Sequence, residues 1–221
     1  MSPHVLIALE NEPYPYDRRV RQEAEALVAA GHHVTVVGPT GFGHDALEEH
    51  VDGVLALRYK APPGGRGVGG YAREYGLSLL HLGRLMWKAH RRRPVDVALV
   101  CNPPDLLVIP ALGLRRAGAA VIFDHHDLSP ELFALKFGDR RALQRIVRKV
   151  ESFALRRADV VIATNDTYAE VDRRRGLAGH VHFAGRAEDD LLRAYMATAD
   201  VCVGVDESNP MNDSSTMTKV I

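Results

Sequence analysis

Cysteine is scarce in this chain, with two in 221 residues. Cys101 and Cys202 each follow a valine in an apolar run, which suits buried thiols and excludes a disulfide framework. Neither has a metal-type partner near it in the sequence. Net charge is lacking too: 28 basic residues balance 28 acidic ones, which excludes a broad electrostatic attraction to nucleic acid. No apolar run approaches the ~20 residues of a membrane span. Met1-Ser2-Pro3-His4 leads straight into a strand pattern, without the basic region, apolar core or cleavage site of a leader. The expected compartment is the cytoplasm. The first strand is not followed by G-x-G-x-x-G, and G-x-x-x-x-G-K-[ST] occurs nowhere, so dinucleotide and P-loop chemistry are disfavoured as well.

What the sequence does contain is concentrated in VIFDHHDLSPELF, residues 121–133. Residues 119–123 form a short apolar run of the kind a parallel strand needs when helices cover both its faces. Asp124, His125, His126 and Asp127 fall at its carboxyl end. Ser129-Pro130-Glu131 then opens a helix, with serine as cap and proline in the first turn. In open parallel sheets ligands bind off the carboxyl ends of strands. Each of the four residues has an ordinary structural use, as a turn cap or a satisfied imidazole; together they mark a site, with His126 expected in an exposed cleft. A metal hydrolase built on His125, His126 and Asp127 is disfavoured, because adjacent side chains rarely converge on one ion and no H-E-x-x-H is present.

Around that stretch the chain alternates strand and helix. Residues 5–9 read as a strand, followed by a polar, proline-stiffened loop and Asp17 as a helix cap. Val20, Ala24, Leu27 and Val28 recur at helical spacing, Gly31 stops the helix, and residues 33–37 form a second strand. Residues 54–59 are a third strand, 62–70 a Gly/Pro loop, and 71–90 a long helix ending in Arg91, Arg92 and Arg93. That basic run either complements the helix dipole or contacts anionic lipid from the inner membrane face. Three similar strands follow: Val95-Asp96-Val97 through Asn102, Ala158-Asp159-Val160 through Asn165, and Ala199-Asp200-Val201 through Asp206. Each begins with aspartate and ends with Asn or Asp, which should point to the edge that carries His126. The expectation is an α/β chain with a doubly wound sheet, its strands all parallel or nearly so.

The order of these motifs resembles the family 4, or group 1, glycosyltransferases of the GT-B fold. The resemblance rests on Asp17-Arg18-Arg19-Val20-Arg21-Gln22-Glu23-Ala24, His126-Asp127 with Pro130-Glu131, Arg157-Ala158-Asp159-Val160-Val161, and Val181-His182-Phe183-Ala184-Gly185-Arg186. It implies two Rossmann-like domains facing a cleft, one on the acceptor side and one binding a nucleotide-sugar donor. Transfer would retain anomeric configuration without an obligatory metal or other cofactor. The acceptor would be a carbohydrate or a lipid-linked one. Residues 1–176 would then be the acceptor-side Rossmann-like domain, and 177–221 a remnant of the donor-side one after an internal deletion near Gly176. His126 and Asp127 would be the catalytic pair. Asp17, Arg18, Arg19 and Asn102 would bind substrate on the first domain, and Asn212, Ser215, Thr216 and Lys219 would do so on the remnant. The paired glutamates of the family are absent, as is most of the basic segment that grips a diphosphate, so residues 1–221 are expected to be inactive alone. Two other readings stay open: a non-catalytic acceptor-binding domain, and a nucleotide-sugar epimerase or hydrolase on the same fold.

Overall fold

The computed structural model describes residues 2–64, 67–137 and 140–163. In chain order the elements are β1 (His4–Ala8), α1 (Arg18–Ala29), β2 (His33–Pro39), β3 (Glu48–Val51), β4 (Val54–Tyr59), α2 (Gly67–Arg92), β5 (Val97–Cys101), a 3-10 turn (Asp105–Leu107), α3 (Val108–Arg116), β6 (Ala120–His125), α4 (Ser129–Phe137), α5 (Arg141–Arg157) and β7 (Val160–Ala163). Seven strands pair in the order β3-β4-β2-β1-β5-β6-β7. The expected Asn165, Asp206 and the whole of 177–221 lie outside the described residues.

Helices cover both faces, so the inner strands are apolar on both sides. One layer packs Leu82 and Met86 of α2, Ala111 and Leu114 of α3, and Ala154 and Leu155 of α5 on Leu6, Val100, Val121 and Phe123. The other packs Val20, Ala24 and Leu27 of α1 on Val5, Ile7, Val34, Val36 and Leu99. The α1 boundaries follow from local chemistry. Asp17 Oδ1 accepts from the amides of Arg19 and Val20 at 3.0 and 3.1 Å. At the other end Gly31, at φ 84°, lets the Gly31 amide reach Val28 O and the His32 amide reach Leu27 O, which satisfies two terminal carbonyls.

Two of the aspartates that open the repeated strands, Asp96 and Asp159, have one shared use, and Asp200 lies outside the described residues. Asp96 Oδ2 accepts from the His4 amide at 2.7 Å, and Asp159 Oδ2 from the Val121 amide at 2.9 Å. Each thereby ties the amino end of its strand to a neighbouring strand.

The sheet is parallel, as expected, except at one edge. β3 pairs antiparallel with β4 at the sheet edge, through a two-residue turn in which Asp52 and Gly53 both have positive φ, 50° and 84°. Asp-Gly between two strands is the sequence of a type I′ hairpin, whose twist matches that of the strands. All other pairings are parallel. The chain builds outward from β1 through β2 to β4 and β3, then returns to place β5 on the other side of β1. The strand order therefore reverses between β1 and β5, the point where open α/β sheets leave a crevice at the strands' carboxyl ends.

Candidate functional site

Asn102, the first residue after β5, organises this edge. Its Nδ2 donates to Asp127 O at 2.7 Å and to Asp105 Oδ1 at 2.9 Å. Its Oδ1 accepts from the amides of His126 at 2.6 Å and Asp127 at 3.1 Å. All four hydrogen-bonding positions of the amide are taken within the protein, so Asn102 positions the turn after β6 rather than holding a ligand. Asp105 also accepts from Ser129 Oγ at 3.0 Å. Burial pushes the Asp105 carboxyl up to about 6, against the pull of the Asn102 hydrogen bond, the His125 charge and the Ser129 hydroxyl.

The two histidines turn to opposite sides, as consecutive residues at a strand end do. His125 Nε2 lies 3.3 Å from Glu151 Oε1 of α5, both fully buried. His126 Nε2 pairs with Asp124 Oδ2, and the ring is 1% exposed. The expected exposed cleft position of His126 is thus corrected: the residue just past β6 is drawn inward by the Asp124 carboxylate. Asp127 is half-buried and stands at the rim.

Beneath this turn lies a buried ionic cluster shared with α1. Burial opposes the charge of Arg19, yet Cys101, Asp17, Asp124 and Glu23 around it hold its pKa above the ordinary arginine value. Burial drives the Glu23 carboxyl well up, aided by Asp124 and opposed by Arg19. Burial likewise raises the Cys101 thiol, with Asp124 adding to the shift. Of the three residues expected to line the acceptor side, Asp17 caps α1 and Arg19 enters this cluster, pairing with Asp17 at 3.5 Å. Arg18 faces solvent. Asn212, Ser215, Thr216 and Lys219 lie outside the described residues.

The cluster also bears on the cysteine reading. Donor atoms of Cys101, Asp124 and His126 all lie within 4.8 Å of one another, so the fold gives Cys101 the metal-type partners that it lacks in sequence. The donors are of zinc type. Arg19 already brings to the Asp124 carboxylate the positive charge that a cation would supply.

Three features of the edge were not singled out from the sequence. Glu10, just past β1 at the strand-order reversal, has its carboxyl pushed up to about 7 by burial, with Ser78 opposing and Glu74 adding to the shift. Its place after the first strand was the only sign of it in the sequence. Second, Tyr16 and Phe42 stack with centroids 4.1 Å apart and planes 7° apart, while staying 48% and 65% exposed. Third, buried Arg58 donates through Nε and Nη2 to Tyr14 O at 3.1 and 2.6 Å and through Nη1 to Ala46 O at 2.8 Å, pinning the loop after β1 to the β2–β3 connection.

The expected lipid-contact run is partly consumed by the fold. Arg92 forks Glu48 at 2.5 and 3.0 Å, beside Lys88 at 2.9 Å, and Arg93 donates to Ser2 O at 3.0 Å. No helix among the described residues is long and apolar enough to cross a membrane.

Several solved structures share the fold. Sucrose-phosphate synthase from Thermosynechococcus elongatus matches with a TM-score of 0.59 at 20% identity, over 79% of this chain and 45% of that one. UGT2 of Phytolacca americana matches at 0.51 and 13% identity, over 87% and 54%. UDP-N-acetylglucosamine 2-epimerase from Rickettsia bellii matches at 0.50 and 13% identity, over 89% and 48%. The chain thus spans about half the length of these proteins. No curated protein matches it. Residues 16–187 match the family model described as the glycosyl transferase 4-like domain, a match that runs through the Gly176–Leu177 junction, and the chain belongs to that family.

Proposed function

We propose that this chain is the acceptor-side Rossmann-like domain of a glycosyltransferase that moves a sugar from a nucleotide-sugar donor to an acceptor hydroxyl. The observation that carries the reading is the Asn102 clamp, which fixes the His126-Asp127 turn at the carboxyl edge of the sheet, close to the point between β1 and β5 where the strand order reverses. Family membership supplies the reaction class.

In this proposal Glu10, Asp127 and Arg18 face the acceptor. Glu10, with a carboxyl near neutrality, accepts a hydrogen bond from an acceptor hydroxyl when ionised and donates one when protonated. The exposed Tyr16–Phe42 stack offers a flat apolar surface to a sugar ring or an aglycone. His126 and Asp124 act from beneath, by keeping the turn in place. Donor binding and charge stabilisation of the departing diphosphate belong to a second Rossmann-like unit, so residues 1–221 alone bind acceptor and turn over no donor.

The test is incubation of the purified chain with a panel of nucleotide sugars, with and without simple glycoside acceptors, while released nucleotide is followed. Background release in every arm is expected. Donor-dependent release on the order of 1 per second would contradict the assignment to the acceptor side. Consumption of a nucleotide sugar without any acceptor would favour the epimerase or hydrolase reading.

A further inference from the structure

Helix α5 carries six basic residues among its 17, and its one acid, Glu151, is fully buried. In a chain of zero net charge, this concentrates positive charge on one outer face. Arg145, Lys149 and Arg156 fall within a narrow stripe at helical spacing, flanked by Arg148. All four are exposed, and none forms an ion pair among the described residues. Two apolar side chains stand beside the stripe, Ile146 at 55% and Phe153 at 37% exposure. Arg148, Lys149, Ser152, Phe153, Arg156 and Arg157 line a depression of about 400 Å³, wide enough for a phosphate headgroup.

The helix accepts a local penalty for this pattern. Its first turn has no acidic residue, and the cap position is Arg140 without a capping hydrogen bond; basic charge there opposes the helix dipole. Exposed Ile146 adds apolar surface that folding leaves uncovered. Cations interleaved with aliphatic and aromatic groups on one helical face fit an anionic membrane interface, where phosphates meet acyl chains. A nucleic acid backbone would use the cations and leave Ile146 without a partner.

We propose that the outer face of α5 docks on an anionic lipid bilayer, with Arg145, Arg148, Lys149 and Arg156 on lipid phosphates and Ile146 and Phe153 entering the headgroup region. The surface stands on the helix alone, so its failure would leave the acceptor-side reading in place, and the reverse holds as well.

The test is co-sedimentation of the purified chain with vesicles of phosphatidylcholine, with or without phosphatidylserine. Binding is expected only when phosphatidylserine is present, and it should weaken as salt rises. The triple variant Arg145→Gln, Lys149→Gln, Arg156→Gln should bind on the order of 100-fold more weakly, at about fivefold per cation. Ile146→Ser with Phe153→Ser should weaken binding while keeping its salt dependence. Thermal melting by circular dichroism should match wild type for both. If the glutamine variant melts early, Arg145→Lys with Arg148→Lys and Arg156→Lys takes its place and must retain binding. Equal binding to both vesicle types, no binding to either, or full binding by a folded glutamine variant would overturn the proposal. So would release by millimolar inorganic phosphate at constant ionic strength, or capture by duplex RNA as tight as by the vesicles.

Discussion

Asn102 and Asp127 are joined by two hydrogen bonds running in opposite directions, side-chain Nδ2 to Asp127 O at 2.7 Å and Asp127 N to side-chain Oδ1 at 3.1 Å. The side-chain amide thus imitates a backbone peptide and continues the pairing of β5 and β6 one step past the end of the ladder, where the Asn102 amide itself still reaches Asp124 O at 3.1 Å. Replacement by alanine strands several buried donors and acceptors. Asn102→Ala should cost ~3 kcal/mol in urea unfolding. Asn102→Asp places a second carboxyl next to Asp105, whose own carboxyl burial already raises, so its deficit should shrink as pH falls and the pair takes up a proton. A deficit that does not change with pH would show that Asp105 is not the group involved.

His126→Ala should destabilise the fold by ~2–4 kcal/mol, because it removes a buried ring and leaves Asp124 without its partner. This differs from the outcome expected of an exposed cleft residue, which would change activity and leave stability unaltered. Thermal melting of the variant decides between them.

Glu10 sets a pH dependence of stability. Its folded pKa of about 7 lies above the ordinary 4.5, so the folded state binds the proton more tightly than the unfolded chain does. Stability from this group is therefore full below about 4.5 and is lost as pH rises through about 7, by at most ~3 kcal/mol. Glu10→Gln removes that slope. Urea unfolding at pH ~5 and ~8 should show the variant gaining on wild type at the higher pH, and an unchanged difference would place the Glu10 pKa in the ordinary range.

The aromatic rim gives a binding prediction. Tyr16→Ala and Phe42→Ala should each weaken acceptor affinity by ~3- to 10-fold, the worth of one ring contact, with little change in melting temperature because both rings are largely exposed. Calorimetric titration of each variant with the acceptor bound by wild type measures this.

The alternation of strands and helices was legible in the sequence because apolar runs of strand length and 3.6-residue patterns are local signals. So was the grouping of Asn102 and His126 on one edge, since each follows a strand in a parallel series. The β3–β4 hairpin carried a local signal as well, Asp52-Gly53, but Glu48-Glu49-His50-Val51 is too polar to read as a strand: it lies at the sheet edge and needs no second buried face. The inward turn of His126 and Arg19 was not legible. Both carry charge-capable groups that sequence patterns assign to the surface, and only the fold brings Glu23 of α1 and Cys101 of β5, separated along the chain, to the Asp124 carboxylate that His126 meets. The Tyr16–Phe42 stack likewise joins two loops from different strands.

The central claim, that this edge receives the acceptor, is tested most directly by mapping backbone amide shifts as the chain is titrated with a panel of monosaccharides, sugar phosphates and alkyl glycosides. For a compound that binds, perturbed amides should cluster at Glu10, Tyr16, Arg18, Phe42 and Asp127, while nucleotide sugars leave these amides unmoved. Shifts confined to β3, α3 or the amino ends of the strands, or a nucleotide sugar that moves this same group of amides, would contradict the account.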